Sequence, residues 1–170
     1  MMPFQFFART LLLFAFARSL IAAEVDDSVA LKVSDSRAGS DVVLFDGAAV
    51  APILVDANVN DAVVRAAGDL AEDFARVTGV KPVMAAGPSA NKGFRVVIGT
   101  LGRSPMIDRM AAEGKLDAKG ISGQWESYVL QVVTNPLPGV DCALVIAGSD
   151  RRGTIFGIYQ LSQMIGVSPW

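Results

Sequence analysis

The clearest pattern in the chain is a set of apolar positions at steps of four and three. Val63, Ala67, Leu70, Phe74 and Val77 fall on one face of a helix, while Arg65, Asp69, Glu72, Asp73 and Arg76 fall mainly away from it. Asn60 and Asp61 can cap its start, and Gly79 can stop it just past Thr78. Between this helix and the chain end, other runs read as strands. Lys81–Ala85 is a short one, followed by a loop at 87–93. Phe94–Gly99 is continuously apolar, as in a strand buried on both faces. Ser127–Thr134 and Cys142–Ala147 are joined by the Pro/Gly-rich segment Asn135–Gly139, so they form an antiparallel hairpin.

Ser104 and Pro105 open a second helix, with serine as N-cap and proline in the first turn, ending near Gly114. Leu116–Trp125 reads as a loop. A last helix runs from Arg151 to Ile165. Before the first helix, Asp41–Asp46 and Ala51–Val55 read as strands. Pro52 places the latter at a sheet edge or at its own first residue. A short strand is also expected at Val29–Val33. The order is β-β-α-β-β-α-β-β-α, which predicts a two-layer α/β sandwich with a mixed β-sheet.

The first 23 residues follow a different logic. Arg9 precedes the apolar run Leu11–Ala17, then Arg18 intervenes, and Ala22 and Ala23 lead into Glu24, Asp26 and Asp27. A basic start, a short apolar stretch and a small-residue exit describe a secretory signal peptide. The run is shorter than the roughly 20 residues a membrane span needs. Ala17-Arg18-Ser19 offers a second cleavage point, and an uncleaved anchor or a mitochondrial presequence is the alternative. The organisation is therefore a signal peptide at 1–23, a lead-in at 24–40 and one α/β domain at 41–170, in a protein expected to be secreted and extracellular. The domain is free of the membrane once the leader is cleaved.

Composition then narrows the chemistry. Of the 170 residues, 52% are hydrophobic and 19% charged, enough for a core and incompatible with disorder. Fifteen Lys and Arg against 17 Asp and Glu give a net charge of −2, without the basic excess of a nucleic-acid binder. The chain has no His and one Cys. Ser-His-Asp and Cys-His catalysis, His-ligated zinc, CxxC metal sites and intrachain disulfides are excluded. No cofactor or metal is expected.

Three places could carry function. The segment Val97–Pro105 is a strand, a glycine turn and a helix start; Arg103 and Ser104 there could hold an anion, although neither the dinucleotide fingerprint nor the P-loop is present. Asp69, Glu72 and Asp73 share a helix face and read as solvated carboxylates flanked by Arg65 and Arg76. In Gly148–Gly153, Ser149 or Asp150 caps the last helix, but Arg151 and Arg152 sit at the positive end of its dipole. That placement is unfavourable unless they have partners. Cys142 reads as a buried, inert thiol. The last helix carries Ile155, Phe156, Ile158, Tyr159, Leu161, Met164 and Ile165 around most of its circumference, so it should be covered on more than one side.

Two longer stretches are more specific. APILVDANVNDAVVRAAGDLAEDFARVTGVKP (51–82) and the segment 96–170, with its blocks IGTLGRSPMID, NPLPGVDCALVIAGSDRRGTIFGIY and SQMIGVSPW, resemble the N-terminal domain of glycoside hydrolase family 115. The resemblance implies a fragment of a xylan α-1,2-glucuronidase, an enzyme that removes glucuronic acid or its 4-O-methyl form from xylan. It also implies an accessory α/β domain like those of other α-glucuronidases and β-hexosaminidases. In that family a (β/α)₈ barrel follows, and the catalytic acids lie in the barrel and beyond. The chain would stop where the barrel starts, so no catalytic residue can be assigned and the chain alone would be inactive. Its partner would be the missing C-terminal barrel of the same protein, with xylan engaged indirectly. Arg151, Arg152, Phe156, Tyr159 and Trp170 are the expected domain contact. The alternatives are a stand-alone module binding an acidic sugar or anion, or a truncated product with no activity of its own.

Overall fold

Eight elements follow one another in the computed structural model, which describes residues 31–34, 42–86 and 93–168. They are β1 (Ile53–Val55), α1 (Asp61–Thr78), β2 (Met84–Ala85), β3 (Phe94–Thr100), α2 (Pro105–Ala112), β4 (Tyr128–Leu137), β5 (Val140–Gly148) and α3 (Arg151–Met164). The leader 1–23, residues 24–30 and 35–40 of the lead-in, Asp41, residues 87–92 of the expected loop, Pro169 and Trp170 lie outside the described residues. One five-stranded sheet has the order β2-β1-β3-β5-β4. β2, β1, β3 and β5 run parallel to one another, and β4 runs antiparallel to β5. The fold is the mixed-sheet α/β domain that the pattern predicts.

The pleat sorts the strand residues between two apolar clusters. Ile53, Val55, Val96, Ile98, Leu144 and Ile146 belong with Val63, Leu70 and Phe74 of α1 and Ile158 and Leu161 of α3. Leu54, Val97, Val145 and Ala147 belong with Ile107 and Met110 of α2 and with Leu116 and Ile121 of the segment after it. The two long helices therefore cover one face, and short α2 with its following turns covers the other. This explains why β3 is buried along nearly its whole length.

Local capping agrees with the sequence. Asn60 accepts a 3.0 Å bond from the Ala62 amide, and Gly79, at φ 76°, donates to Ala75 at 2.9 Å. Gly79 is the residue type for which that left-handed conformation costs least.

Four expectations need correction. The Asp41–Asp46 reading gives no strand among its described residues: 42–46 make one isolated antiparallel bridge, Phe45 to Val50. A tight turn, in which Asp46 accepts from the amides of Ala48 and Ala49, takes up the backbone groups locally. The strand at Lys81–Ala85 shrinks to Met84–Ala85 at the sheet edge, and no strand appears among residues 31–33, the described part of the Val29–Val33 reading. The Asn135–Gly139 turn is shorter than read. β4 continues to Leu137 through an irregularity after Thr134, because Leu137 and Val140 are both buried and pair. Pro136 is tolerated there because β4 is an edge strand. The proline before β1 marks its first residue rather than an edge, since β1 lies between β2 and β3.

The last helix is covered on two sides, as its composition requires, but by its own domain. It packs on the sheet and against α1. Gly153 and Gly157 permit the close approach: a Cβ on Gly153 would collide with the Ser127 carbonyl, and one on Gly157 with Ile146. Its apolar circumference is accounted for without another domain, except at Phe156 and Tyr159, which remain 41% and 40% exposed.

Candidate functional site

β1, β3 and β5 end at the same edge of the sheet, and the loops leaving them border a cleft of about 550 Å³. In open sheets of this kind, the crevice beyond the carboxyl ends of parallel strands is the usual ligand position. Asn58 and Asn60 come from the β1–α1 loop, Leu101 and Arg103 from the β3–α2 turn, and Ser149 to Arg152 from the β5–α3 junction.

The floor is held by buried polar links. Thr100, the last residue of β3, shares a 2.7 Å hydrogen bond with Thr154 in the first turn of α3. Gly148 makes this closeness possible, because a Cβ there would fall on the backbone nitrogen of Thr154. Asp56, just after β1, accepts from the Ser104 hydroxyl at 2.9 Å and from the Met106 amide at 3.3 Å. Ser104 stands at the N-cap position of α2 but makes no cap bond itself; the carboxylate from another loop serves that end of the helix. Ser104 is fully buried and committed to Asp56. Of the expected Arg103/Ser104 pair, only Arg103 faces outward.

The N-termini of α1 and α3 are self-capped. Asp150 accepts from the Gly153 amide at 2.7 Å and from the Glu126 amide at 3.0 Å. These two amides, Gly153 first, hold its carboxyl below the usual range. Arg152 pairs with Glu126 at 2.9 Å, and its guanidinium lies 5.8 Å from the Phe156 ring centre. The guanidiniums of Arg103 and Arg151 have neither an ion pair nor a hydrogen bond among the described residues. The structure thus brings together Arg103, the anion-turn candidate, and Arg151, a domain-contact candidate, and turns Arg152 and Phe156 toward each other.

A second cavity, of about 340 Å³, lies between α1 and α3 and is bordered by Asp69, Asp73, Tyr159 and Ser162. The expected solvated face is more structured than that. Asp73 is 6% exposed and bonds Arg76 at 2.8 Å. Asp69 accepts from the Tyr159 hydroxyl at 3.2 Å. Burial first, and then this carboxylate, raises the tyrosine pKa. Glu72 is held below its ordinary range by Lys81. Cys142 is half-buried rather than buried, and its thiol pKa is raised by desolvation.

Sequence reasoning missed Asp56, Thr100 and Thr154. Each is polar at the end of an apolar strand or at a helix start, and that position was the available clue.

No protein-family model matches the chain, and no curated protein matches it. Among solved structures, it is similar to a family GH115 4-O-methyl-α-glucuronidase with specificity for decorated arabinogalactans. The match has 23% identity and a TM-score of 0.56 over 72% of this chain. The chain shares the fold of a domain-sized part of that enzyme. It covers 14% of the enzyme's length. No helix among the described residues is long and apolar enough to cross a membrane.

Proposed function

We propose that residues 41–170 are a non-catalytic accessory domain of a secreted α-glucuronidase of the family 115 type, which removes glucuronic acid or its 4-O-methyl form from xylan. The observation that carries this reading is the fold likeness to one domain-sized part of a GH115 4-O-methyl-α-glucuronidase. The blocks IGTLGRSPMID and SQMIGVSPW add to it. In this reading the domain supports a catalytic barrel of the same protein and reaches polysaccharide through it. Phe156 and Tyr159, two neighbouring aromatics left two-fifths exposed on α3, are the core of that contact, with Arg152 held beside Phe156. Exposed aromatics with an arginine are the residue types that anchor protein interfaces. Trp170 belongs to the same proposal but lies outside the described residues.

The test is release of uronic acid. The full chain is incubated with glucuronoxylan and with decorated arabinogalactan, and products are separated by anion-exchange chromatography. The accessory-domain reading expects no release from either, and release by this chain overturns it. The genomic reading frame beyond the Trp170 codon is the companion observation. An in-frame β/α barrel supports the reading, and an immediate stop codon removes its catalytic partner.

A further inference from the structure

We propose that the cleft at the carboxyl end of β1, β3 and β5 holds a small molecule bearing one oxyanion group, a carboxylate or a phosphate, between Arg103 and Arg151. The inference stands whether or not the domain belongs to a glucuronidase.

Charge left without a partner among the described residues faces a concave place. Arg103 comes from the β3–α2 turn and Arg151 from the first turn of α3, and both border the same cleft. Each guanidinium is exposed and free of any ion pair or hydrogen bond among the described residues. Three other arginines of the domain have carboxylates: Arg76 has Asp73, Arg109 has Glu113 and Arg152 has Glu126. The carboxylate bordering the cleft, Asp150, is occupied by the amides of Gly153 and Glu126. Neither guanidinium forms an ion pair with it.

The helix ends are not the donors. Asn60 and Asp150 already cap α1 and α3, so recognition falls to the guanidinium forks, whose planar N–H pairs match carboxylate and phosphate oxygens. Asn58, whose side chain is exposed at the same rim, can donate to a neighbouring hydroxyl of the ligand. A volume of about 550 Å³ is within the range that encloses small-molecule ligands.

Isothermal titration of the full chain with sodium glucuronate, inorganic phosphate and glucose tests the proposal. Saturable binding of glucuronate or phosphate, weakened by added salt, is the expected result. Glucuronate alone would identify a carboxylate ligand, phosphate alone a phosphate ligand, and both the shared oxyanion chemistry. The double variant R103A/R151A should bind at least about tenfold more weakly. R65A, which removes an exposed arginine of α1 that does not border the cleft, should bind as the parent does. Both exposed substitutions should leave the thermal midpoint close to that of the parent, which confirms folding. Absence of binding at millimolar anion overturns the proposal. So does glucose binding as tightly as glucuronate, or R103A/R151A binding unchanged.

Discussion

The carboxylate of Asp56 and the hydroxyl of Ser104 are joined by a buried 2.9 Å hydrogen bond between the loop after β1 and the start of α2. Through it, one acidic side chain does the work of the α2 N-cap and ties two neighbouring loops of the cleft together. Its other oxygen accepts from the Asn58 amide at 3.2 Å.

Asp56→Ala should therefore destabilise the domain. It leaves the buried Ser104 hydroxyl and the Met106 amide without their acceptor, at a cost of about 2–3 kcal/mol. Thermal unfolding followed by circular dichroism should show a midpoint lower by roughly 5–10 °C. Asp56→Asn, which keeps one acceptor oxygen, should lose less. Equal midpoints for the alanine variant and the parent would remove the link from the account of the fold.

Two glycine substitutions should act with opposite sign. At Gly68, inside α1, an added Cβ meets nothing within 4 Å, so Gly68→Ala should gain roughly 0.5–1 kcal/mol from helix propensity. At Gly153 the same Cβ collides with the Ser127 carbonyl, and Gly153→Ala should lose about 1–3 kcal/mol as α3 is pushed off β4. Urea midpoints of the two variants, moving in the same direction, would contradict the packing of α3 described above.

Acid should weaken the end of α2. Glu113 accepts from Arg109 at 2.7 Å and pairs with Lys115 at 2.8 Å, and these two cations hold its pKa down to about 2 from 4.5. A carboxyl whose folded pKa is depressed stabilises the fold above its unfolded pKa, and loses that contribution as pH falls toward the folded value. The contribution of Glu113 should be complete above pH 4.5 and fade between there and about 2. Measured by urea unfolding at a series of pH values, Glu113→Gln should be less stable than the parent near neutrality and converge with it in strong acid. A gap that stays constant with pH would show that the carboxylate charge is not involved.

The single cysteine should react slowly. Burial raises the Cys142 thiol pKa, against a smaller opposing effect of the Ala143 amide, so the thiolate fraction at pH 8 is below that of a free cysteine. Alkylation by iodoacetamide, followed by mass spectrometry, should lag behind a model thiol and accelerate at a more alkaline pH. Parity with the model thiol at pH 8 would place Cys142 in a different environment.

Much of the fold was legible because it is written in local periodicity. The steps of four and three in α1 mark Val63, Ala67, Leu70 and Phe74, all buried, and the unbroken apolar run at Val96–Ile98 marks a strand covered on both faces. Val77 carries the same spacing yet is half exposed, because it lies in the last turn of the helix. The run Val42–Phe45 has strand composition but lacks a ladder. Composition states what a segment tolerates, whereas a strand also needs an available neighbour edge. The candidate site was half legible: Arg103 and Arg151 stood out as cations at turns and helix starts, but nothing in sequence spacing placed them on one cleft.

The sequence by itself determined the helices, the buried strands, the hairpin and the absence of histidine chemistry, since propensity, capping and residue inventory act over a few neighbours at a time. Only the tertiary structure decided that α1 and α3 share one face of the sheet, that Asp56 rather than Ser104 caps α2, and that Arg103 and Arg151 border one cleft. Those relations depend on strand order and on the close approach permitted at Gly148 and Gly153, which join residues far apart in the chain through packing that no local pattern encodes.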